Sequence, residues 1–215
     1  MTHKLKPELI QLSPKQRLYN SINPIIGLTG GIGTGKSTAT SILSQLGFSV
    51  IDADALIKKI YQKGETLDFV LEQFPEAIVE GKISFPKLRQ LAFDSKEVRE
   101  QLEGFLYKEL PRLFQEQLPQ NSNEIVFYDV PLLFEKRIDG KVDQTLLIAC
   151  TPEFQKERVM KRDAVHQETL EKIIKSQWPI AKKEELSNYT IWNQGSITDL
   201  KEEIERYLSK NFIKG

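Results

Sequence analysis

Short apolar runs separated by longer amphipathic segments dominate the pattern along this chain. Five of these runs have the length and the β-branched and aromatic content of buried strands, and they cover residues 24–29, 48–51, 124–128, 142–150 and 189–192. Segments with helical periodicity separate most of them. Strands that alternate with helices build a parallel sheet with right-handed crossovers. The pattern therefore predicts an α/β fold around a five-stranded parallel sheet.

The interval between the second and third predicted strands is longer than one crossover needs. Helical patterns fill it at residues 55–62, 66–74, 86–92 and 96–117, and the last could break at Pro111. We therefore predict an inserted helical subdomain over residues 64–118. The core around the sheet would comprise residues 23–63 and 119–215. Residues 1–22 would form a polar N-terminal arm that is solvated or loosely docked.

A complete phosphate-binding loop, G-x-x-x-x-G-K-[ST], lies between the first predicted strand and a helix predicted over residues 38–46. Its glycines let backbone N–H groups turn toward a polyphosphate, and the helix N-terminus adds partial positive charge. Lys36 would reach the β- and γ-phosphates, and the Ser37 hydroxyl would hold Mg²⁺. The residues predicted to bind the nucleotide here are Gly30, Gly31, Ile32, Gly33, Thr34, Gly35, Lys36, Ser37 and Thr38. The motif predicts binding of a nucleoside triphosphate.

Carboxylates follow two of the predicted strands. Asp52 and Asp54 stand at the carboxyl end of the second strand, where ligands of open α/β sheets bind. They share a side if the strand extends that far, and one of them, with Asp54 favoured, could accept the proton of an attacking hydroxyl. The alternative is that one aspartate caps the following helix. Asp129 ends the third strand and is expected to assist Mg²⁺, unless it is an ordinary strand-end residue.

A helix predicted after the fourth strand carries basic side chains. Thr151 and Pro152 are typical of a helix start, and Arg158 and Arg162 lie four residues apart on one face. Guanidinium groups there could neutralise the charge of a transferring phosphoryl group, and P-loop kinases carry a mobile lid at this point. We predict a lid near residues 155–180. A solvated helix surface is the alternative.

The composition excludes several classes. Lysine plus arginine and aspartate plus glutamate both number 30, so net charge gives no reason to expect nucleic-acid binding. The longest apolar runs are too short to cross a bilayer, and residues 1–15 lack the apolar stretch of a signal peptide. Cys150 is the only cysteine and is expected to be a buried thiol in a reducing compartment. We expect a cytoplasmic protein without nucleic-acid or membrane partners, as a monomer or weak homo-oligomer.

Motifs of other nucleotide-binding classes are missing from the sequence. No aspartate has a glycine three positions later and no asparagine precedes a lysine, which excludes the motifs of a GTPase switch. The His-Arg-Asp and Asp-Phe-Gly sequences of protein kinases are absent as well. A kinase that acts on a small molecule remains.

Three segments resemble, in order, signatures of the dephospho-CoA kinase family. They are residues 28–38 (Leu-Thr-Gly-Gly-Ile-Gly-Thr-Gly-Lys-Ser-Thr), residues 50–54 (Val-Ile-Asp-Ala-Asp) and residues 129–135 (Asp-Val-Pro-Leu-Leu-Phe-Glu). Residues 158–163, Gln177 and residues 191–195 (Ile-Trp-Asn-Gln-Gly) support the resemblance, which extends over residues 24–208.

The resemblance implies a three-layer P-loop NTPase fold with a helical insert and a short lid. The family phosphorylates the ribose 3′-hydroxyl of dephospho-CoA with ATP and Mg²⁺, the last step of coenzyme A synthesis. By this resemblance Asp54 is the general base, Lys36 and its loop hold ATP, and Asn193 contacts the nucleotide. Arg158 and Arg162 belong to the lid, and the inserted helices grip the CoA portion.

The chain departs from the family pattern in three places. Phe85 replaces an arginine, Tyr107-Lys108 replaces His-Pro, and Ser187-Asn188 replaces Ala-Asp. The first two fall in the predicted acceptor-binding subdomain. Two other functions also stay open: a kinase of another small acceptor, such as a nucleoside monophosphate, and a nucleotide-gated binding protein without transfer activity.

Overall fold

The structure is a computed structural model that describes residues 3–121, 124–163, 174 and 177–214, with backbone alone for residues 3, 162, 163 and 214. In this part of the chain the strands are β1 (His3–Leu5), β2 (Ile25–Gly30), β3 (Ser49–Asp52), β4 (Ile78–Val79), β5 (Lys82–Ile83), β6 (Val126–Asp129), β7 (Gln144–Ala149), β8 (Tyr189–Trp192) and β9 (Phe212–Lys214). The α-helices are α1 (Lys36–Gln45), α2 (Ala53–Tyr61), α3 (Gly64–Gln73), α4 (Phe85–Asp94), α5 (Lys96–Gln115), α6 (Pro152–Asp163), α7 (Ile180–Leu186) and α8 (Ile197–Asn211).

The central sheet has five parallel strands in the order β3–β6–β2–β7–β8. The α/β fold and the five strands predicted from the apolar runs are confirmed, with ends that shift by a few residues. Strands β2 and β7 are buried along their whole length, as expected for a sheet covered on both faces. In the register of the sheet Asp129 lies beside both Leu28 and Asp52. The carboxyl ends of β2, β3 and β6 therefore meet at one edge.

Two compact units divide the chain. One comprises Met1–Asp52 and Leu118–Gly215, and the other comprises Ala53–Gln117. The sequence placed the start of the insert at residue 64. Helix α2 nevertheless belongs to the second unit, because it begins directly after β3 and packs against α3 and α5.

The second unit consists of α2 to α5 and the short β4–β5 hairpin. Its core is built from Val70, Phe74, Ala77, Leu88 and Leu102. Helix α5 starts with the side chain of Ser95 accepting a hydrogen bond from the backbone N–H of Val98. It continues through Pro111 to Gln115, so the break considered there does not occur.

The N-terminal arm is an integral part of the first unit, and the expectation of a solvated or loosely docked arm is wrong. Strand β1 pairs with β9, and Leu5 is buried in the main core. The Arg17 guanidinium forms a buried ion pair with Asp143, with 2.7 Å between Nε and Oδ2. The same carboxylate accepts hydrogen bonds from the backbone N–H groups of Gln11, Leu12 and Ile25. One buried carboxylate thus fixes the arm to the start of β2.

No helix in the described ranges is both long and apolar enough to cross a membrane.

Candidate active site

The phosphate-binding loop connects the end of β2 to the start of α1, as the motif requires. Its backbone adopts the left-handed region at Gly33 (φ +76°) and Gly35 (φ +88°), where a side chain would be strained. At Gly35 a Cβ atom would also collide with the amide of Asn193. The glycines therefore fix a turn whose N–H groups and helix N-terminus can face an anion.

Side chains from neighbouring elements hold this loop in shape. Asn193 Nδ2 donates to the carbonyl of Thr34 at 2.8 Å. The backbone of Ile32 is bound on both sides: Gln155 Nε2 donates to its carbonyl at 2.8 Å, and its N–H donates to Gln177 Oε1 at 3.1 Å. Gln155 is buried on the first turn of α6, and no sequence motif marks it. The loop is therefore preorganised by its surroundings.

Lys36 and Asp129 form an ion pair at the carboxyl edge of the sheet. Their side chains are 14% and 5% exposed, so both charges are largely shielded from water. Asp52 lies beside Asp129 in the register and is exposed, as is Ser37 on the first turn of α1. The structure thus brings together the predicted phosphate lysine and the predicted strand-end acid.

Asp54 lies on the first turn of α2 and is exposed. The condition for Asp54 to share a side of the strand with Asp52 is not met, because β3 ends at Asp52 and the helix begins at Ala53. An acidic residue on the first turn also interacts favourably with the helix dipole. Its role as a base stays a prediction.

Arg158 lies next to the loop. It lines a cavity of about 270 Å³ together with Gly35, Thr38, Asn193, Gly195, Ser196, Ile197 and Leu200. Its guanidinium carbon lies 5.4 Å from the ring centre of Phe154, and its buried Nη1 has no hydrogen-bond partner among the described residues. The cavity therefore places the guanidinium of Arg158 beside the phosphate-binding loop. The side chain of Arg162 and much of the predicted lid lie outside the described residues.

Cys150 is a buried thiol, as expected, and lies below the loop with its Sγ 3.8 Å from the carbonyl of Gly33. Burial raises the pKa of this thiol, while the nearby charge of Arg158 acts in the opposite direction. The group therefore stays protonated at neutral pH.

A larger cavity, of about 600 Å³, opens beside Gly31. Its wall includes Pro152, Trp178, Pro179, Ile180 and Trp192. An aromatic and apolar wall next to a phosphate loop suits the apolar part of a ligand whose phosphate is bound in the loop.

Sequence reasoning missed Lys183, which is fully buried on α7. Its Nζ donates to the carbonyl of Pro131 at 2.8 Å and lies 2.9 Å from Glu135 Oε1. Burial lowers the pKa of Lys183 and the nearby charge of Lys36 adds to this, while the bond to Glu135 opposes it. In the sequence Lys183 stands in a run of charged residues that is typical of a solvated helix.

Two of the departures from the family pattern have clear structural roles. Asn188 Oδ1 accepts hydrogen bonds from the backbone N–H and the hydroxyl of Thr145, at 2.8 and 2.9 Å, and so ties the start of β8 to β7. An aspartate could accept the same bonds. Phe85 packs edge-on against Tyr61, with 5.2 Å between ring centres, and Tyr107 is half exposed.

The parallel sheet and the loop define a P-loop nucleotide-binding protein, and comparisons with known proteins identify the family. The family model described as dephospho-CoA kinase matches residues 24–199. The chain is 35% identical over 185 residues to a dephospho-CoA kinase of Fusobacterium nucleatum, covering 85% of this chain and 96% of that protein. It is 38% identical over 196 residues to one of Wolinella succinogenes, with coverages of 87% and 94%. This chain belongs to the dephospho-CoA kinase family.

Solved structures agree with this assignment. A crystal structure from Thermus thermophilus superposes with a TM-score of 0.81 at 34% identity, covering 90% of this chain and 99% of that one. Dephospho-CoA kinase from Campylobacter jejuni gives a TM-score of 0.64 at 26% identity, with coverages of 86% and 96%.

Proposed function

We propose that this chain transfers the γ-phosphoryl group of ATP to the ribose 3′-hydroxyl of dephospho-CoA, giving coenzyme A and ADP. The single observation that carries the proposal is the Lys36–Asp129 pair, which lies where the phosphate loop meets the carboxyl edge of the sheet. Membership in the family supports the choice of substrates. The reaction would be the last step of coenzyme A synthesis.

ATP would bind with its phosphates in the loop, where the backbone of residues 30–38 turns around them. Arg158 and Asn193 line the adjoining cavity, which would take the rest of the nucleotide. Lys36 would exchange Asp129 for the β- and γ-phosphates, because a phosphate oxygen offers the lysine another anionic partner.

The donors near Lys36 fit Mg²⁺. Ser37 and Asp129 supply oxygen ligands, and Mg²⁺ is usually held by one or two carboxylates together with water and substrate phosphates. When bound, the ion would neutralise charge on the β- and γ-phosphate oxygens.

Asp54 would accept the proton of the attacking 3′-hydroxyl, and the inserted subdomain at residues 64–118 would bind the acceptor. Arg158 and Arg162 would balance charge on the transferring phosphoryl group, since a planar guanidinium matches its oxygens. We place the enzyme in the cytoplasm, acting as a monomer or weak homo-oligomer, without nucleic-acid or membrane partners.

The test is an ADP-release assay with ATP and Mg²⁺, run with dephospho-CoA, with AMP and without an acceptor. We expect release to rise strongly with dephospho-CoA alone, and mass spectrometry to find one added phosphate at the ribose 3′ position. Stimulation by AMP instead would indicate a kinase of another acceptor. Slow hydrolysis unaffected by any acceptor would indicate a nucleotide-gated binding protein.

A further inference from the structure

A buried polar network connects α7 to the two segments that carry Lys36 and Asp129. Lys183 Nζ and the hydroxyl of Thr29 both donate to the carbonyl of Pro131, at 2.8 and 3.1 Å. Thr29 directly precedes the phosphate loop, and Pro131 follows Asp129 by two residues. The Lys183 ammonium thus fixes the point where these two segments are joined.

Glu135 extends this network. Its Oε1 accepts the backbone N–H of Trp178 at 2.8 Å and lies 2.9 Å from Lys183 Nζ. Its buried Oε2 has no hydrogen-bond partner among the described residues. The segment after Gln177 is therefore attached to the loop after β6 at two points, the N–H of Trp178 on Glu135 and the ammonium of Lys183 on Pro131 and Glu135.

We propose that Lys183 is a positioning residue for phosphoryl transfer, which holds the Pro131–Glu135 turn so that Asp129 stays aligned with Lys36. This rests on the proposed function only for the identity of the acceptor. Lys183 acts through Pro131 and Glu135 rather than by touching the substrate.

A purely stabilising role does not account for this arrangement. Taking an ammonium and a carboxylate out of water carries a large desolvation penalty, and apolar residues of similar volume often stabilise a fold as well or better. The buried ammonium of Lys183 is better explained by a role in aligning Asp129 with Lys36. Burial lowers the pKa of Lys183, and the charge of Lys36 acts in the same direction.

The expected effect is selective. Lys183 does not line the cavity formed by Gly35, Arg158 and Asn193, so nucleotide binding should persist without it. Misplacement of reacting groups by about 1 Å can cost on the order of 100-fold in rate. Loss of Lys183 should therefore lower kcat by roughly 10- to 100-fold and leave the KM for ATP within about twofold.

The experiment compares Lys183→Met, the double variant Lys183→Met/Glu135→Gln, and Lys182→Met as a matched control. Lys182 is the exposed neighbour on the same helix, and its ammonium lies 3.5 Å from the ring centre of Trp178. The single variant leaves Glu135 buried without its counter-charge and can lose stability for that reason alone. The double variant removes this charge, and its glutamine can still accept the N–H of Trp178.

We expect the double variant to melt near the wild-type temperature, to bind ATP normally and still to show the reduced kcat, while Lys182→Met matches wild type. Recovery of wild-type kcat in the double variant would overturn the proposal, since only the stability effect would then remain. The proposal would also be overturned if kcat stayed unchanged and the whole loss in kcat/KM came from a higher KM for ATP.

ATP hydrolysis without an acceptor is measured in the same variants. Because Lys36 and Asp129 act on the nucleotide whichever acceptor is used, the hydrolysis rate should fall with kcat in the double variant. If wild type proves inactive toward dephospho-CoA, the acceptor assignment fails. The hydrolysis rates then still support or overturn the role of Lys183.

Discussion

The ammonium of Lys36 and the carboxylate of Asp129 form an ion pair that joins the phosphate-binding loop to the end of β6. Because both side chains are largely shielded from water, each charge compensates the other. By the proposed function, a nucleotide that enters the loop would replace this contact. Its phosphates would take the lysine, and the carboxylate would become available to Mg²⁺. In this structure, the two opposite charges at the carboxyl edge of the sheet therefore neutralise each other.

Lys36→Ala should abolish most phosphoryl transfer while the fold persists. Removing one preorganised electrostatic stabiliser costs about 10²- to 10³-fold in kcat. The change also removes the charge of Lys36 from the buried Asp129, so Lys36→Ala/Asp129→Asn serves as the stability control. Turnover and melting temperature are measured for both. Near-normal turnover in folded Lys36→Ala would contradict the assignment of the loop.

Asp54→Asn should lower turnover by roughly 10²- to 10⁴-fold, because the amide can still hydrogen-bond the acceptor hydroxyl but cannot take its proton. ATP affinity should change little. Asp52→Asn is the matched comparison, since both aspartates are exposed and only two positions apart. Steady-state kinetics with dephospho-CoA check the result. A larger loss in Asp52→Asn than in Asp54→Asn would exchange the roles of the two residues.

Arg158→Ala should lower turnover more than it weakens acceptor binding, because a guanidinium matches phosphate oxygens best as charge develops. Its place in the cavity beside Gly35 adds an expected rise in the KM for ATP. Arg158→Lys should retain only part of the wild-type activity. Lys156→Ala, an exposed change on the same helix, is the control. Arg162→Ala should reduce turnover too. If the double variant Arg158→Ala/Arg162→Ala had unchanged kinetics, the helix would be interpreted as an ordinary solvated surface.

Arg17→Met should destabilise the protein by about 3–5 kcal/mol, because it leaves Asp143 as a buried carboxylate without its counter-charge. For a domain of this size that lowers the melting temperature by roughly 6–20 °C. Thermal unfolding followed by circular dichroism measures the change. Lys15→Met alters an exposed charge in the same arm and should melt within about 2 °C of wild type. Equal melting of Arg17→Met and Lys15→Met would show that the arm contributes little.

The strands and the phosphate loop could be predicted from the sequence because their signals are local. Apolar runs mark strands buried on both faces, and the glycines of the loop are fixed by its own backbone geometry. The buried ion pairs could not be predicted in this way. Arg17 meets Asp143 and Lys183 meets Glu135 across long stretches of chain, and in the sequence each lysine or arginine is indistinguishable from a solvated one.

The position of Asp54 shows a second limit of the sequence argument. Alternation along a strand groups Asp54 with Asp52 only if the strand continues past Asp52. In the structure β3 ends at Asp52 and helix α2 begins at Ala53. Element boundaries are the least reliable part of a sequence prediction. The resemblance to the family indicates Asp54 by its position in the motif at residues 50–54, whichever residue ends the strand.

The inserted subdomain should respond to the acceptor and not to ATP alone. If residues 64–118 bind dephospho-CoA, hydrogen exchange should show protection of their amides with that ligand, while ATP mainly protects residues 30–38. A phosphate loop is a nearly preformed cradle, whereas a helical insert has to close over its substrate. Protection of these helices by ATP alone would contradict this division of roles.

Phe85 provides a sharper test of the same subdomain. It is half exposed and packs edge-on against Tyr61, at the position where the family pattern has an arginine. If the chain has exchanged a phosphate contact for an apolar one, Phe85→Arg should tighten acceptor binding and lower the KM for dephospho-CoA. Phe93→Arg, an equal change at a more exposed site of α4, is the matched control. Equal effects of the two variants would reflect only added positive charge. A looser acceptor complex in Phe85→Arg alone would mean that the Phe85–Tyr61 contact itself holds the substrate.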